Sequence, residues 1–352
     1  MTAEEGRRAN AVSLLDEPKL DALLVTNLHN VRYLTGFTGS NGAVLLFKDT
    51  HAILFTDPRY AVQSQQQVNC RIRIAKGALT KSILQEITRS RVRRVGFEQD
   101  HMTVAQRESF KRELEPVTGI VERLRAVKDT SEIEKIRASV LSNSSALEAA
   151  LKRFKIGMKE SELAAEIDYQ SRKLGAEAPA FDTIVAAGEH AALPHAQPGA
   201  AKILPGILLI DMGAFQDGYA SDMTRMFHVG PATTKYKRAY RAVLEAQLAA
   251  IDAVKPGVTT NSVDRAARGT LKGHGLEREF IHSTGHGLGL EIHEQPRIGR
   301  KDKTRLEAGM AITIEPGVYI EGWGGIRIED TVLVTPGGCE ILTPTTKELR
   351  EI

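Results

Sequence analysis

At 352 residues, with 42% apolar, 26% charged and 5% aromatic side chains, the chain has the composition of an ordinary globular protein. At roughly 150 residues per domain it divides into about two. Lysine plus arginine (47) nearly balances aspartate plus glutamate (44), so the net charge of +3 gives no electrostatic footprint for nucleic acid. No apolar run approaches the roughly 18 residues of a membrane span, and the charged N-terminal stretch lacks an export signal's apolar segment, so no membrane partner and a cytoplasmic location are expected. Cys70 and Cys339 are the only cysteines, which excludes a disulfide framework and a Cys-rich zinc site.

In chain order, residues 23–26, 43–47, 52–56 and 92–97 read as strands, with helices over 60–68 and 80–90 between them. This predicts a small α/β domain over residues 1–122. From Asp129 onward, TSEIEKIRASVLSNSSALEAALKRF carries apolar residues at helical spacing (Ile133, Ile136, Val140, Leu147, Leu151), with Thr130 or Ser131 as the cap. Further helices are expected near 160–174, 234–254 and 262–274, followed by strand-rich stretches over 207–229, 280–290 and 310–342. The helix-then-hairpin pattern recurs without a short sequence repeat. The predicted fold class is α+β: the N-terminal domain, then residues 123–352 as a curved antiparallel sheet with helices on one face.

Residues 207–230, ILLIDMGAFQDGYASDMTRMFHVG, read as a hairpin turning at Gln216-Asp217 or Asp217-Gly218. Either register puts Asp211 and Asp222 on one face, opposite or diagonal. Converging carboxylates need a proton or cation between them; the plainer alternative is that one faces solvent or pairs with Arg225. Asp217 is turn chemistry.

Residues 280–294, FIHSTGHGLGLEIHE, hold three of the ten histidines: His282, His286 and His293. Gly285, Gly287 and Gly289 strip side chains from around His286 and permit close approach. No helix-initiating GxGxxG, HExxH, Walker loop or GxSxG elbow accompanies them. Residues 308–338 contain MAITIEPG, with Glu315 at a strand end, and IRIEDTVLV, in which Arg327 and Glu329 face away from Ile326 and Ile328. Asp330 points the other way, as a surface or structural residue. These carboxylates and an imidazole suit Mn²⁺, Co²⁺ or Zn²⁺. Two such ions roughly 3.5 Å apart could activate a water for attack on a carbonyl, which predicts a dinuclear hydrolase.

Together, LPHAQPG, LLIDMG, SDMTR, HSTGHGLGLEIHE, ITIEPGVY and GGIRIEDTV resemble the metallopeptidases of the pita-bread fold, which include aminopeptidase P, prolidase and methionine aminopeptidase. The resemblance implies that Asp211, Asp222, His286, Glu315 and Glu329 ligate two metals, Mn²⁺ by preference. Asp222 and Glu329 would bridge, Asp211 would complete one site, and His286 and Glu315 the other. It further implies that His195 and His293 contact substrate or the developing oxyanion, that His282 orients the substrate, that Glu315 shuttles a proton, and that Arg327 supports the ligands. GFTGSNG and FTDPRY resemble the N-terminal domain of aminopeptidase P, making a Xaa-Pro aminopeptidase acting on proline-containing peptides the main expectation. Arg297 resembles the arginine with which some prolidases hold a dipeptide's free carboxylate, so Xaa-Pro dipeptidase is the alternative. A non-catalytic binding protein is the remote third reading, disfavoured because all five ligand positions are intact. Resemblance also implies a homodimer.

Overall fold

The computed structural model describes residues 2–352. The chain forms two compact units, one ending at Arg125 and the other running Ala126–Ile352.

The first unit is built on six strands: β1 (Ala22–Val25), β2 (Gly42–Phe47), β3 (Ala52–Thr56), β4 (Arg71–Ile74), β5 (Val95–Glu98) and β6 (Glu115–Val117), in the order β4-β3-β2-β1-β5-β6. β1, β2 and β3 pair antiparallel with one another in a meander, while β4 joins β3, β5 joins β1 and β6 joins β5 in parallel. ALLV, GAVLLF and AILFT are buried at every position, as central strands covered on both faces must be. β4, written RIRI, is an exposed edge whose charged alternation hid it from hydrophobic patterning. The strand expected from residue 92 begins only at Val95, because the Asp21 carboxylate takes the N–H groups of Arg93 and Arg94 first. The helix Ala3–Ser13 was also not foreseen, although Thr2 and Glu5 form its capping box.

In the second unit, the helix Thr130–Leu151 is capped by Asp129, not by Thr130 or Ser131. Asp129 Oδ1 accepts the Glu132 N–H while Glu132 reaches back to the Asp129 N–H, a reciprocal arrangement available only at that spacing. Its strands are β7 (Ala178–Pro179), β8 (Ile184–Ala187), β9 (Gly206–Met212), β10 (Ala214–Gln216), β11 (Tyr219–Ala220), β12 (Met223–Val229), β13 (Gly285–Gly287), β14 (Glu294–Ile298), β15 (Ala311–Ile314), β16 (Gly317–Ile320), β17 (Gly324–Arg327), β18 (Asp330–Thr335), β19 (Gly338–Ile341) and β20 (Arg350–Glu351). The main sheets are β20-β12-β9-β8 and β14-β13-β15-β18-β19. All their pairings are antiparallel except that of β20 with β12.

The two halves of this unit repeat one plan. Helices Thr130–Leu151 and Glu160–Lys173 precede the first sheet, and Thr234–Asp252 and Thr260–Gly273 precede the second. At the matching junctions, Gly157 (φ 91°) donates to Ile203 O and Gly257 (φ 83°) to Leu306 O, each at 2.8 Å. Glu160 N–H then bonds Ala201 O at 3.0 Å, and Thr260 N–H bonds Thr304 O at 2.9 Å. Leu208 and Ile210 enter the core formed with the first helix pair, and Ile207 and Leu209 enter the core around Val243, Val263 and Leu271. Asp211 continues the odd-numbered face of β9.

Candidate metal centre

Asp217 (φ 51°) and Gly218 (φ 76°) both occupy the left-handed region, as a two-residue type I′ turn requires. The pairs Phe215–Ala220 and Gln216–Tyr219 fix the register on the Asp217-Gly218 alternative. Thr224 then lies opposite Asp211, so Asp222 is the diagonal neighbour on the same face. Both aspartates are buried. Arg225 does not pair with either of them; it binds Asp330 at 2.7 Å.

β13 is threaded between β14 and β15. A Cβ on Gly285 would stand 1.9 Å from Thr313 O, and one on Gly287 would stand 2.2 Å from Gln295 O. Only glycine on either side lets this strand carry His286 so close to its neighbours. The His286 Nδ1–H donates to Gly287 O at 3.0 Å. Its Nε2 lies 3.5 Å from Asp222 Oδ2 and 3.6 Å from Glu315 Oε1. Burial depresses the imidazole to about 4, so near neutrality the ring is uncharged and Nε2 presents a lone pair. A lone pair facing two carboxyl groups leaves acceptors converging on a space that a proton or a cation must fill. Donor atoms of Asp222, His286 and Glu329 all lie within 4.8 Å of one another.

Asp211 joins this group through Arg327. Its Oδ2 takes a 2.6 Å bond from Nη2, while its Oδ1 is buried with no hydrogen-bond partner. An orphaned buried carboxylate oxygen is expensive unless something cationic completes it. Burial, reinforced by neighbouring carboxylates, pushes Asp222 and Glu329 well above the ordinary carboxylate range, and burial lifts Glu315 to about 7. Oxygen-rich donors, one neutral imidazole and an excess of negative charge fit a hard or borderline divalent cation.

Two residues that sequence patterning did not single out hold the carboxylates in place. Thr224 Oγ1 donates to Glu329 Oε2 at 2.7 Å and accepts from Arg327 Nε at 2.9 Å. Tyr319 OH accepts from Arg327 Nη1 at 2.7 Å and meets His282 Nε2 at 3.0 Å. Arg327 Nη1 also reaches Pro194 O at 3.1 Å. His282, depressed to about 4 by burial and by the nearby Arg327 charge, is thus tied into the scaffold. His293 is exposed and meets the His286 ring edge-to-face, with centroids 4.5 Å apart. Partial desolvation of the ring and the neighbouring His195 hold its basicity down. His195 is exposed on the loop after β8. Arg297 is exposed and stands directly across from His286 in the β13–β14 ladder, so the two side chains share a face. Asp330 is structural and wholly buried, bound by Arg225, Lys347 and Gln247, so the surface alternative falls away.

Beside the site, the ion pair Lys128–Glu294 (3.0 Å) is almost fully buried, with side chains 1% and 5% exposed. Glu294 Oε1 also accepts the Glu291 N–H. Removing one partner would strand a buried charge, so Lys128→Met is expected to cost about 3–5 kcal/mol in urea unfolding. Adding Glu294→Gln to that variant should restore part of the loss; a single-variant cost below about 1 kcal/mol would show that the pair is not structurally important.

The curved two-fold sheet, its helices and this carboxylate–imidazole cluster define a metal-dependent hydrolase of the pita-bread type. Residues 134–336 match metallopeptidase family M24 and residues 7–127 match the creatinase/prolidase N-terminal domain, and the chain belongs to that peptidase family. It is 37% identical to a Xaa-Pro dipeptidase of Pyrococcus furiosus, over 97% of this chain and 99% of that protein. The solved structure of a Xaa-Pro dipeptidase from Bacillus anthracis superposes with a TM-score of 0.96 at 38% identity, covering 99% of this chain and 100% of that one. An X-Pro aminopeptidase from Thermotoga maritima gives 0.89 at 34% identity, covering 95% and 98%. No helix among the described residues is long and apolar enough to cross a membrane.

Proposed function

We propose that the protein is a Xaa-Pro dipeptidase using two divalent ions, Mn²⁺ by preference, held by Asp211, Asp222, His286, Glu315 and Glu329. The observation that carries the metal assignment is the set of unmatched acceptors: His286 Nε2 facing Asp222 and Glu315, and the orphaned Asp211 Oδ1. Divalent ions there supply Lewis acidity toward the peptide carbonyl and make water a nucleophile near neutral pH. Glu315, whose Oε1 faces His286 Nε2 across the cluster, is suited to take a proton from the attacking water and deliver it to the leaving amine. Arg327 fixes Asp211 directly and Glu329 through Thr224, keeping the acceptors aimed inward. His195 and His293, exposed beside the cluster, are placed to meet the substrate carbonyl and to donate to it as charge develops. His282 shapes the pocket wall.

The relatives' names favour the dipeptidase over the aminopeptidase P expected from the N-terminal motifs. Arg297 supports the same choice: on the face of His286, its guanidinium can grip a free carboxylate bidentately. The Thermotoga maritima likeness keeps aminopeptidase P as the second reading. In Mn²⁺ buffer with a chelator control, the Xaa-Pro dipeptide is expected to be cleaved in preference to the matched Xaa-Pro-Xaa tripeptide. Arg297→Ala should raise KM for the dipeptide by about tenfold or more, the value of a charged hydrogen bond. Tripeptide preference with a silent Arg297→Ala would establish the aminopeptidase.

A further inference from the structure

Between β8 and β9, the segment 187–199 carries His195, and both of its ends are tied to a single side chain. Glu160, at the first turn of helix Glu160–Lys173, is 0% exposed. Its Oε1 accepts the Ala187 N–H at 2.8 Å, where the loop leaves β8, and its Oε2 accepts the Gly199 N–H at 3.2 Å, where the loop returns. His190 Nδ1 lies 3.0 and 2.9 Å from the same two oxygens.

The loop's middle is seated as firmly. It rests on β17 at two glycines, where a Cβ on Gly324 would come 2.7 Å from Gly188 O and one on Gly325 2.1 Å from Ala191 O. Arg327 holds the Pro194 carbonyl next to His195. The two bonds to Glu160, the seat on Gly324 and Gly325 and the bond from Arg327 together fix where His195 stands.

The repeated half of the domain shows that the fold itself does not demand this carboxylate. Position 260 makes the same backbone junction, yet it is a threonine whose Oγ1 only donates to Asp302 Oδ1 at 2.8 Å. A buried carboxylate is costly to keep, so the half that has one has a use for it beyond the junction.

We infer that Glu160, assisted by His190, is a positioning residue for hydrolysis: it clamps the 187–199 loop so that His195 meets the substrate. The inference rests on the proposed substrate contact of His195. In the Mn²⁺-loaded full-length protein with a Xaa-Pro dipeptide as probe, Glu160→Gln puts an amide NH₂ against backbone N–H groups. It should lower kcat by about tenfold or more with KM little changed, the scale of a small misplacement of a catalytic group. Metal content should stay at the wild-type level.

The decisive comparison is a double-mutant cycle with His195→Ala. Glu160→Gln should cost less than about twofold once His195 is gone, because the two act as one unit. An equal loss in both backgrounds, or no loss in either, overturns the positioning role. Should Glu160→Gln fail to fold, His190→Ala loosens the clamp from its exposed side. Its smaller kcat loss must likewise vanish with His195→Ala, and a loss that persists there also overturns the role. Unchanged turnover in His195→Ala alone would instead refute the proposed substrate contact.

Discussion

Glu329→Gln and Asp222→Asn are each expected to lower metal-dependent kcat by about three orders of magnitude or more, the loss of several kcal/mol of charge stabilisation. In both variants an amide replaces a carboxylate that offers an oxygen within 4.8 Å of a His286 ring nitrogen. The amide removes a negative charge and can present an N–H where an acceptor is needed. Thr224 can still donate to the remaining oxygen of Glu329→Gln, so the local hydrogen bonding survives. The fold should survive as well. Chelator-treated Glu329→Gln should be at least as stable as chelator-treated wild type, because one member of a repelling cluster has been neutralised. Elemental analysis of bound metal with steady-state kinetics checks the pair. Wild-type turnover in either variant would remove that residue from the assigned ligand set.

Stripped of divalent ions by a chelator, the wild-type protein is expected to lose stability as pH rises. The sign follows from the direction of the shifts. Asp222 and Glu329 are held well above the ordinary carboxylate range by burial and by neighbouring carboxylates, and Glu315 is lifted to about 7 by burial. A carboxyl with a folded value above its unfolded one favours the folded state most below the unfolded value. That advantage disappears as pH rises through the folded value. For Glu315 the window runs from about 4.5 to about 7 and is worth on the order of 3 kcal/mol. With Mn²⁺ bound, the cation replaces the protons and the decline should vanish. Urea titrations at pH 5, 6, 7 and 8, with and without Mn²⁺, test this, and parallel pH profiles in the two conditions would exclude the cluster as the cation site.

What the sequence disclosed depended on how locally each feature is encoded. The convergence of Asp211 and Asp222 follows from an Asp-Gly turn and the two-residue period of strands, and the observed register needs nothing else. Glu315, Arg327 and Glu329 were also legible from alternation, although the strand expected across residues 326–334 breaks after Arg327: Glu329 stands between β17 and β18, and Glu315 just past the end of β15. Thr224 was not, because its hydroxyl acts on Glu329, 105 positions away, and nothing local distinguishes it from any other strand threonine. Tyr319 likewise gains its role only when β16 pairs with β17 and brings it beside Arg327. The placement of Arg297 required the irregular β13–β14 ladder, whose register shifts after His286 and cannot be counted from alternation. Some misses were readable. Thr2 with Glu5 and Asp129 with Glu132 carry the three-residue capping spacing in plain text. Patterning by hydrophobicity alone passed over the first and shifted the second by a residue or two.

The doubled plan of the second unit has a consequence for how the molecule comes apart. Asp211 and Asp222 belong to the first repeat, whereas His286, Glu315 and Glu329 belong to the second. The first repeat offers two of the proposed ligands and the second three, so the full set of five exists only when both are folded. An ion gripped by both would be a rivet between two leaves, weakened as soon as either leaf peels away. The binding free energy of such an ion would oppose their separation. On the proposed ligand set, the carboxylates that repel each other across the seam when bare would become its fastening, so that catalytic competence and mechanical unity would be acquired together.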